Sequence, residues 1–533
     1  MGGAWVFKLA LFRKPTLLFL LSLAIAIFVF LKNAWVSEDA YIVFRSIEQL
    51  FSGNGPIWNP HERVQVFTSP LWFVVLVFAR IFSHDVYLNV IVVSLILWLS
   101  TLFVLKALHK NNTIFLILIL LFSSSTGFFD YTSSGLENVL AYLIIATYIL
   151  NYVGLFVLDN SNHFRQISVE RRIQIILFLF GLVICVRHDL ALLLLPPTIY
   201  VVLKNSQVFS KKQWAVFSII SLLPFLLFSL FSLVYYGFLF PNTAYAKLNT
   251  GIHQMELFKH GINYFISSLK YDTATLVVII GSLVWYSFNF SEKYLRYLGY
   301  GVLLNLFYVG YVGGDFMQGR FLSYAYMVSA ILILLRLEKI HLPKFKALTF
   351  ITVGLYLVLY PHTPFNSPFN YKNQVIEMGV ADERGFYFDE LSLVQYCIRN
   401  REDNFFPEHR WAKSGYQEKE SPYRVIVLRN VGMFGYYSGI EKIIIDPLAL
   451  TDPLLARLPV TGKWRIGHFV RTVPDGYIDS LMNGNESIVN PQVNEFYKKL
   501  KIVTQNEELF TLERLKTIAL FNVGAYNHLL LDE

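Results

Sequence analysis

Eleven apolar runs dominate this sequence and decide what it can fold into: 16–32, 87–105, 113–128, 136–157, 173–187, 190–203, 213–235, 272–290, 297–313, 321–336 and 347–361. An upright helix needs about 20 such residues to cross the hydrocarbon of a bilayer, and most of the runs reach or approach that length. Charged residues make up only 15% of the chain and hydrophobic ones 55%, whereas a soluble chain is about a quarter charged. The runs therefore predict a polytopic α-helical membrane protein with about eleven transmembrane helices.

A twelfth run, PLWFVVLVFARIFS at 70–83, is too short for a span and contains Arg80, which fits an interfacial or re-entrant helix. Parity supports that reading. If 70–83 does not cross, then Lys106/Lys110, Arg165/Arg171/Arg172, Lys204/Lys211/Lys212, Lys293/Arg296 and Arg336/Lys339/Lys344/Lys346 share the cytoplasmic side with Lys8, Arg13 and Lys14. If it does cross, the later basic loops all move outside, against the positive-inside bias. The net charge of +8 thus reports topology and implies no nucleic-acid partner. No small-x-small cleavage site follows 16–32, so an uncleaved first span is expected. Cys185 and Cys397 are the only cysteines; they exclude a disulfide framework, and neither has metal-ligand spacing.

The composition changes near Pro364. Residues 1–363 read as the membrane domain, with a first outer loop at 33–69. Residues 364–533 read as a soluble extracytoplasmic α/β domain, in which apolar runs at 425–428 and 443–445 alternate with helix-like stretches at 388–400 and 491–503. The expected location is the cytoplasmic (inner) membrane, with the tail domain facing outward.

This topology gathers on the outer side Glu38, Asp39, Arg45, His61, Glu62, Arg63, Asp130, Glu137, Arg187, His188, Asp189, Lys247, Asp315 and Arg320. Carboxylates near hydrocarbon are costly. A carboxylate can serve as general base toward an acceptor hydroxyl, while Arg, Lys and His can hold a departing phosphate. Arg187, Lys247 and Arg320, with His188, are accordingly the candidates for a donor phosphate at the depth of the lipid headgroups. Plainer readings stand beside these. The acid pair can cap a helix N-terminus, Glu137 after Ser133-Ser134-Gly135 has the look of first-turn capping, Arg187-His188-Asp189 can simply break a helical hairpin, and Gly313-Gly314-Asp315 can be a turn. A transporter or flippase of a lipid-linked glycan would need ionisable groups along a route across the membrane, and none marks one mid-span. A non-catalytic envelope assembly factor would not need the acid pair.

With Glu38-Asp39 just after the first span, the sequence resembles the GT-C superfamily of membrane glycosyltransferases. It is more closely similar to the family of the mycobacterial terminal β-(1→2)-arabinofuranosyltransferase. The likeness is carried by Glu38-Asp39-Ala40-Tyr41-Ile42 with Arg45, Ile57-Trp58-Asn59-Pro60 with Glu62-Arg63-Val64, and Thr68-Ser69-Pro70-Leu71-Trp72. It continues through Thr132-Ser133-Ser134-Gly135-Leu136-Glu137, Arg187-His188-Asp189, Pro241-Asn242-Thr243-Ala244-Tyr245-Ala246-Lys247, and Gly313-Gly314-Asp315-Phe316-Met317 with Gly319-Arg320-Phe321. In the tail it includes Asp446, Leu450-Thr451-Asp452-Pro453, Ala456-Arg457 and Arg465-Ile466-Gly467-His468. The first acid is Glu38 where the family leads one to expect Asp.

The resemblance implies a GT-C fold and inverting transfer of a sugar, arabinofuranose among the candidates, from a polyprenyl-phosphate donor. The acceptor would be a cell-envelope glycan, glycolipid or protein, and the site would face away from the cytoplasm. It makes Asp39 or Glu38 the base. It extends a substrate-binding role to Arg45, Trp58, Asn59, Glu62, Arg63, Glu137, Asp189, Asn242, Asp315 and His468. It calls for no cofactor with certainty, and a divalent metal at Glu38/Asp39 is compatible with the pair.

Overall fold

Each of the eleven runs forms a helix in the computed structural model, which describes residues 17–157, 167–248, 250–288, 292–340, 342–366, 378–401 and 405–530. The basic residues Lys8, Arg13, Lys14 and Arg165 lie outside the described residues. Among those described, Val86–Leu108, Asn138–Phe156, Lys211–Tyr235 and Arg320–Lys339 are long and apolar enough to cross a membrane, and the number rises to six if each of two bent pairs is one span. The chain is a multi-pass membrane protein. Leu17–Asn33, Leu190–Lys204 and Pro70–Phe82 are shorter apolar helices. In Pro70–Phe82, Pro70 occupies the first turn, where its missing N–H costs nothing, Ser69 caps the start, and Arg80 pairs with Glu48 at 2.7 Å.

Two runs do not become the single straight helices their hydropathy predicts. The run 113–128 stops at Phe122 and restarts at Thr126 after a 91° bend. Ser123 and Ser124 hydroxyls donate back to Ile119 and Leu121 carbonyls, and Ser125 caps the next turn. Such side chains offer the backbone an alternative to the helix ladder. The run 272–290 is one arm of a pair bent by 109°, whose other arm, Gln254–Tyr271, is too amphipathic to stand out as apolar. Asp272 sits at that bend and joins the two breaks. Its carboxylate accepts the N–H groups of Gly127 at 2.8 Å and Thr126 at 3.2 Å, and the hydroxyl of Ser125 at 3.3 Å.

The acid pair opens helix Glu38–Phe51, whose Ser37 N-cap accepts from the Asp39 N–H at 3.3 Å. The start of this helix is wedged against the loop before Asn138–Phe156. Ser37 N donates to Ser134 O at 2.7 Å, and Trp35 and Trp72 indoles donate to Asp130 O and Gly135 O at 2.8 and 2.9 Å. Gly135 has φ 81°, and a Cβ there would lie 2.7 Å from that of Ala40. Only glycine fits both the angle and the approach.

Beyond residue 377 the chain is mostly helical, with Glu383–Leu391, Leu393–Arg401, Arg410–Lys419, Pro491–Thr504 and Leu512–Asn522 as its longer helices. Among the described residues its strands are one parallel pair, Val425–Val427 and Ile443–Ile445, in register Val425↔Ile443, at the two apolar runs read as strands. The composition shift near Pro364 is not a break in packing. Tyr387, Phe388, Leu391, Met433, Ile466 and Phe469 share one apolar core with the membrane helices. Ile42, Trp58, Val64 and Val66 of the first loop form a second core with Val431, Phe434 and Ile444 of the tail.

A buried guanidinium clamps that second core. Arg45 donates to the carbonyls of Trp58 (2.9 Å), Gly439 (2.8 Å), Lys442 (2.6 Å) and Gly435, and lies over the Trp58 ring at 4.7 Å. Stranding a buried acceptor costs about 1–3 kcal/mol. Arg45→Ala takes the donor from the Gly439 and Lys442 carbonyls, leaves the Trp58 and Gly435 carbonyls with Gln49 and Ser438 alone, and is expected to lower the unfolding temperature of the purified protein. An unchanged unfolding temperature in detergent would contradict the clamp.

Candidate active site

A cavity of about 410 Å³ opens where the acid helix meets the ends of the membrane helices. Asp39, Glu137, Arg187, His188, Asp189, Lys247 and Arg320 all line it. Residues called from five separate segments of the sequence therefore share one space. Its apolar wall includes Phe67, Trp72, Phe240, Tyr308 and Phe321.

The two acids of the pair do not share it. Glu38 is buried and its Oε1 accepts the N–H of Gly432 at 2.6 Å and of Met433 at 3.3 Å, at the start of helix Val431–Tyr437. Burial, and then repulsion from Asp39, push its carboxyl up to about 8 against the relief those amides give. Asp39 faces the cavity and has no hydrogen-bond partner among the described residues. Burial raises its pKa, while Arg320 and Lys247 pull it back. The donor set does not suit a metal shared by the pair, because Glu38 is committed to backbone amides. Among the described residues no three His, Cys, Asp or Glu side chains converge on one point.

The cations are placed by their neighbours. Arg187 meets Asp189 with two nitrogens, at 3.0 and 3.2 Å, and Glu137 at 2.9 Å. Glu137 therefore does not cap Asn138–Phe156. It occupies the cap position without a capping bond, because a guanidinium at hydrogen-bonding distance outcompetes neutral amides for a carboxylate. Arg320 pairs with Asp315 at 2.7 Å. The Phe321 ring carries Arg187 at 4.6 Å and Arg320 at 5.2 Å, and so holds two like charges beside one cavity. Arg320 owes its position to a close backbone contact: Gly319 has φ 73°, and a Cβ on it would come within 2.4 Å of the Gly127 Cα. Gly127 is in turn tied to Asp272. The Gly313-Gly314-Asp315 turn, with φ of 88° and 72° at its glycines, thus also presents the partner of a site cation.

Lys247 projects from helix Asn242–Leu248 with no ion pair among the described residues. The ring of His188 lies edge-on to Phe225 and Phe240 at 5.7 and 6.4 Å. Burial lowers its pKa, so it enters the cavity as a neutral hydrogen-bonding ring.

The remaining candidates do not line the cavity, and those of the first loop join it to the tail. Arg45 and Trp58 form the clamp described above. Asn59 brackets Ile444, donating to its carbonyl at 3.1 Å and accepting its N–H at 2.9 Å. Glu62 accepts from Gln505 at 3.3 Å, and Arg63 reaches Asn506 O. Asn242 donates to the carbonyls of Ala449, Leu450 and Asp452 at 3.0–3.2 Å, which fixes the helix that carries Lys247. His468 accepts from Arg465 at 2.8 Å, packs on Phe316 at 4.5 Å, and is driven by burial and by Arg465 to about 3. Asp446 accepts three backbone N–H groups of its own loop.

One acid near the site was not singled out from sequence. Glu383 is raised by burial and then by repulsion from Asp39, with Arg465 opposing. It arrives beside the site because Ala381 bridges Met317: Gln318 N donates to Ala381 O and Ala381 N to Phe316 O, at 2.9 and 2.8 Å. No local pattern around Ala381-Asp382-Glu383 announces that pairing.

Comparison with known proteins agrees with this architecture. No family model matches the chain. A terminal β-(1→2)-arabinofuranosyltransferase of Corynebacterium glutamicum is 28% identical over 369 residues, 57% of this chain and 48% of that protein, so the chain spans about half the length of that relative. The Mycobacterium tuberculosis protein of the same name is 23% identical, over 84% of this chain and 82% of its own. Among solved structures, ArnT from Cupriavidus metallidurans bound to undecaprenyl phosphate superposes with a TM-score of 0.51 and 12% identity, over 80% of this chain and 85% of that one. The last is a likeness of fold. The resemblance read from the motifs, to the terminal β-(1→2)-arabinofuranosyltransferases, is matched by these two relatives.

The displaced candidate Glu62 yields a test. Its carboxyl is raised to about 8, chiefly by burial and then by Asp452. An acid raised on folding stabilises the fold only below its unfolded pKa, and that contribution is lost as pH rises toward the folded value. Glu62→Gln is therefore expected to raise the unfolding temperature above pH 8 and to change little near pH 4.5. A lower unfolding temperature at high pH would show that Glu62 is held as a compensated anion.

Proposed function

We propose that this chain is an inverting glycosyltransferase that moves a sugar from a polyprenyl-phosphate donor to a hydroxyl of a cell-envelope glycan, glycolipid or protein. The observation that carries the reading is the single cavity holding one unbonded carboxylate, Asp39, opposite Arg187, Lys247 and Arg320. Asp39 is the base. The acceptor hydroxyl gives it a proton and attacks the anomeric carbon, and the bond from that carbon to the phosphate oxygen breaks with its electron pair leaving on the phosphate. No acid is needed on that side, because the cations stabilise the charge that grows on the leaving group. The apolar wall suits the first units of the prenyl tail. Arabinofuranose, from the relatives' name, is the first donor sugar to test.

Glu38 acts through position: its carboxyl accepts two amides of the tail and so ties the acid helix to it. Asp39→Asn keeps the shape and cannot take the proton, and general-base loss costs about 10²–10⁴-fold. That loss of transfer is expected in nanodiscs with a polyprenyl-phosphoryl sugar, without loss of insertion. Because the base must be unprotonated, the acid limb of the kcat/KM profile reports its raised pKa. Glu38→Gln replaces a carboxyl that is neutral below about 8, and its amide oxygen still accepts from Gly432 and Met433, so the limb is expected to stay in place. A limb lost or moved in Glu38→Gln, or full transfer in Asp39→Asn, would put the base elsewhere.

We further propose eleven spans in the cytoplasmic membrane with the site and tail facing outward, on the distribution of Lys and Arg among the loops. A reporter that works only in the cytoplasm, fused after Glu533, is expected to be silent; activity there would reverse the orientation.

A further inference from the structure

Helix Leu512–Asn522 is apolar on two faces. Arg514, Thr517 and Ile518 are buried, and Phe521 packs on the tail core. On the other side Leu512, Leu515, Ala519 and Val523 follow one another at steps of three, four and four, the spacing of a single helical stripe. They stand in the open: Leu512 is 83% exposed, Val523 77%, and Phe510 just before the helix 74%. Contiguous apolar surface of this kind marks a contact.

Three observations identify what covers it. The first is position. Arg514 turns inward and donates to the carbonyls of Val234 and Tyr235 at 2.7 and 2.9 Å, and Asn522 donates to Gly237 O at 2.8 Å. Those are the last two residues of Lys211–Tyr235, one of the four helices among the described residues long enough to cross the membrane, and a residue two positions beyond it. The second is continuity. The outward residues of that span, Leu226, Leu227 and Leu230, are exposed, and so are Leu239 and Phe240 where the chain leaves it. The apolar surface of the span thus runs on past its end toward the stripe. The third is chemistry: Lys516 lies exposed at the edge of the stripe, where its stem can lie along lipid with the charge among headgroups.

We infer that the stripe of helix Leu512–Asn522, with Phe510, lies in the lipid interface as a second membrane contact, made by the tail. Leu509 O and Val503 O also accept from Arg514, at 2.9 and 3.0 Å, so the helix, its preceding loop and the end of helix Pro491–Thr504 are one rigid foot. That foot reaches the first outer loop through Gln505 to Glu62 and Arg63 to Asn506. The contact holds for either orientation of the protein and makes no use of sugar transfer.

The test uses the full chain in nanodiscs on a Cys397→Ser background, because Cys397 is the exposed cysteine and Cys185 is buried. Single cysteines replace Leu512, Leu515 or Val523 and carry an environment-sensitive fluorophore. An interfacial helix sits about 5–10 Å into the headgroup–acyl boundary. The expected result is a blue-shifted emission, quenching by lipids with a shallow doxyl group, and protection from aqueous iodide at all three positions. Iodide quenching without doxyl quenching would overturn the inference. Protection from both quenchers would overturn it too, and would show a protein partner or a second copy on the stripe. A Leu512→Glu, Leu515→Glu double variant labelled at Val523 checks the cause: iodide access at Val523 should rise, and unchanged access would argue against a lipid contact.

Discussion

Successive residues on a helix point about 100° apart, and the acid pair at the start of helix Glu38–Phe51 uses that divergence. One carboxylate cannot enter the cavity if its neighbour does. Glu38 spends its carboxyl on two amides of the tail, and Asp39 is left facing the cations. The separation depends on the tail being where it is. Without helix Val431–Tyr437 above it, the Glu38 carboxyl would lose both amides it is bonded to, and a buried polar group left unbonded is costly.

The same accounting explains why the cavity can keep three cations together. Arg187 is balanced by Asp189 and Glu137, and Arg320 by Asp315. Lys247 and Asp39 are the members without such a partner. Under the proposed function, a phosphate would find in Lys247 the cation that has no ion pair among the described residues, and an acceptor hydroxyl would give the Asp39 carboxylate its hydrogen bond. Phe321 stiffens the arrangement, because its ring attracts both guanidiniums that would otherwise repel each other apart.

The sequence made legible what depends on local chemistry. Hydrophobic length gave a helix for every apolar run, and span-end charges from distant loops converged as the topology required. Breaks were harder to read. The 91° bend after Phe122 comes from three serines and from Asp272, which lies far away in sequence, and hydropathy averages over such a stop. The motif Trp58-Asn59 with Glu62-Arg63 was legible as important but not as what it does. Conspicuous polar residues look alike whether they touch a substrate or a neighbouring carbonyl, and only the course of the tail separates the two. Glu383 was hidden for the converse reason, since it is brought in by a backbone pairing that leaves no signature in side chains.

The junction between loops and tail has a common grammar. Arg45, Asn59, Asn242 and Arg514 all reach main-chain carbonyls across it. Every residue type presents a carbonyl, so only one side of each of these contacts specifies an amino acid. The gripping side chains are fixed, whereas the gripped segments are free to change identity as long as the path of the chain is kept. A tail held in this way can drift in sequence, and can alter the surface it turns outward, without loosening its hold on the residues that line the cavity.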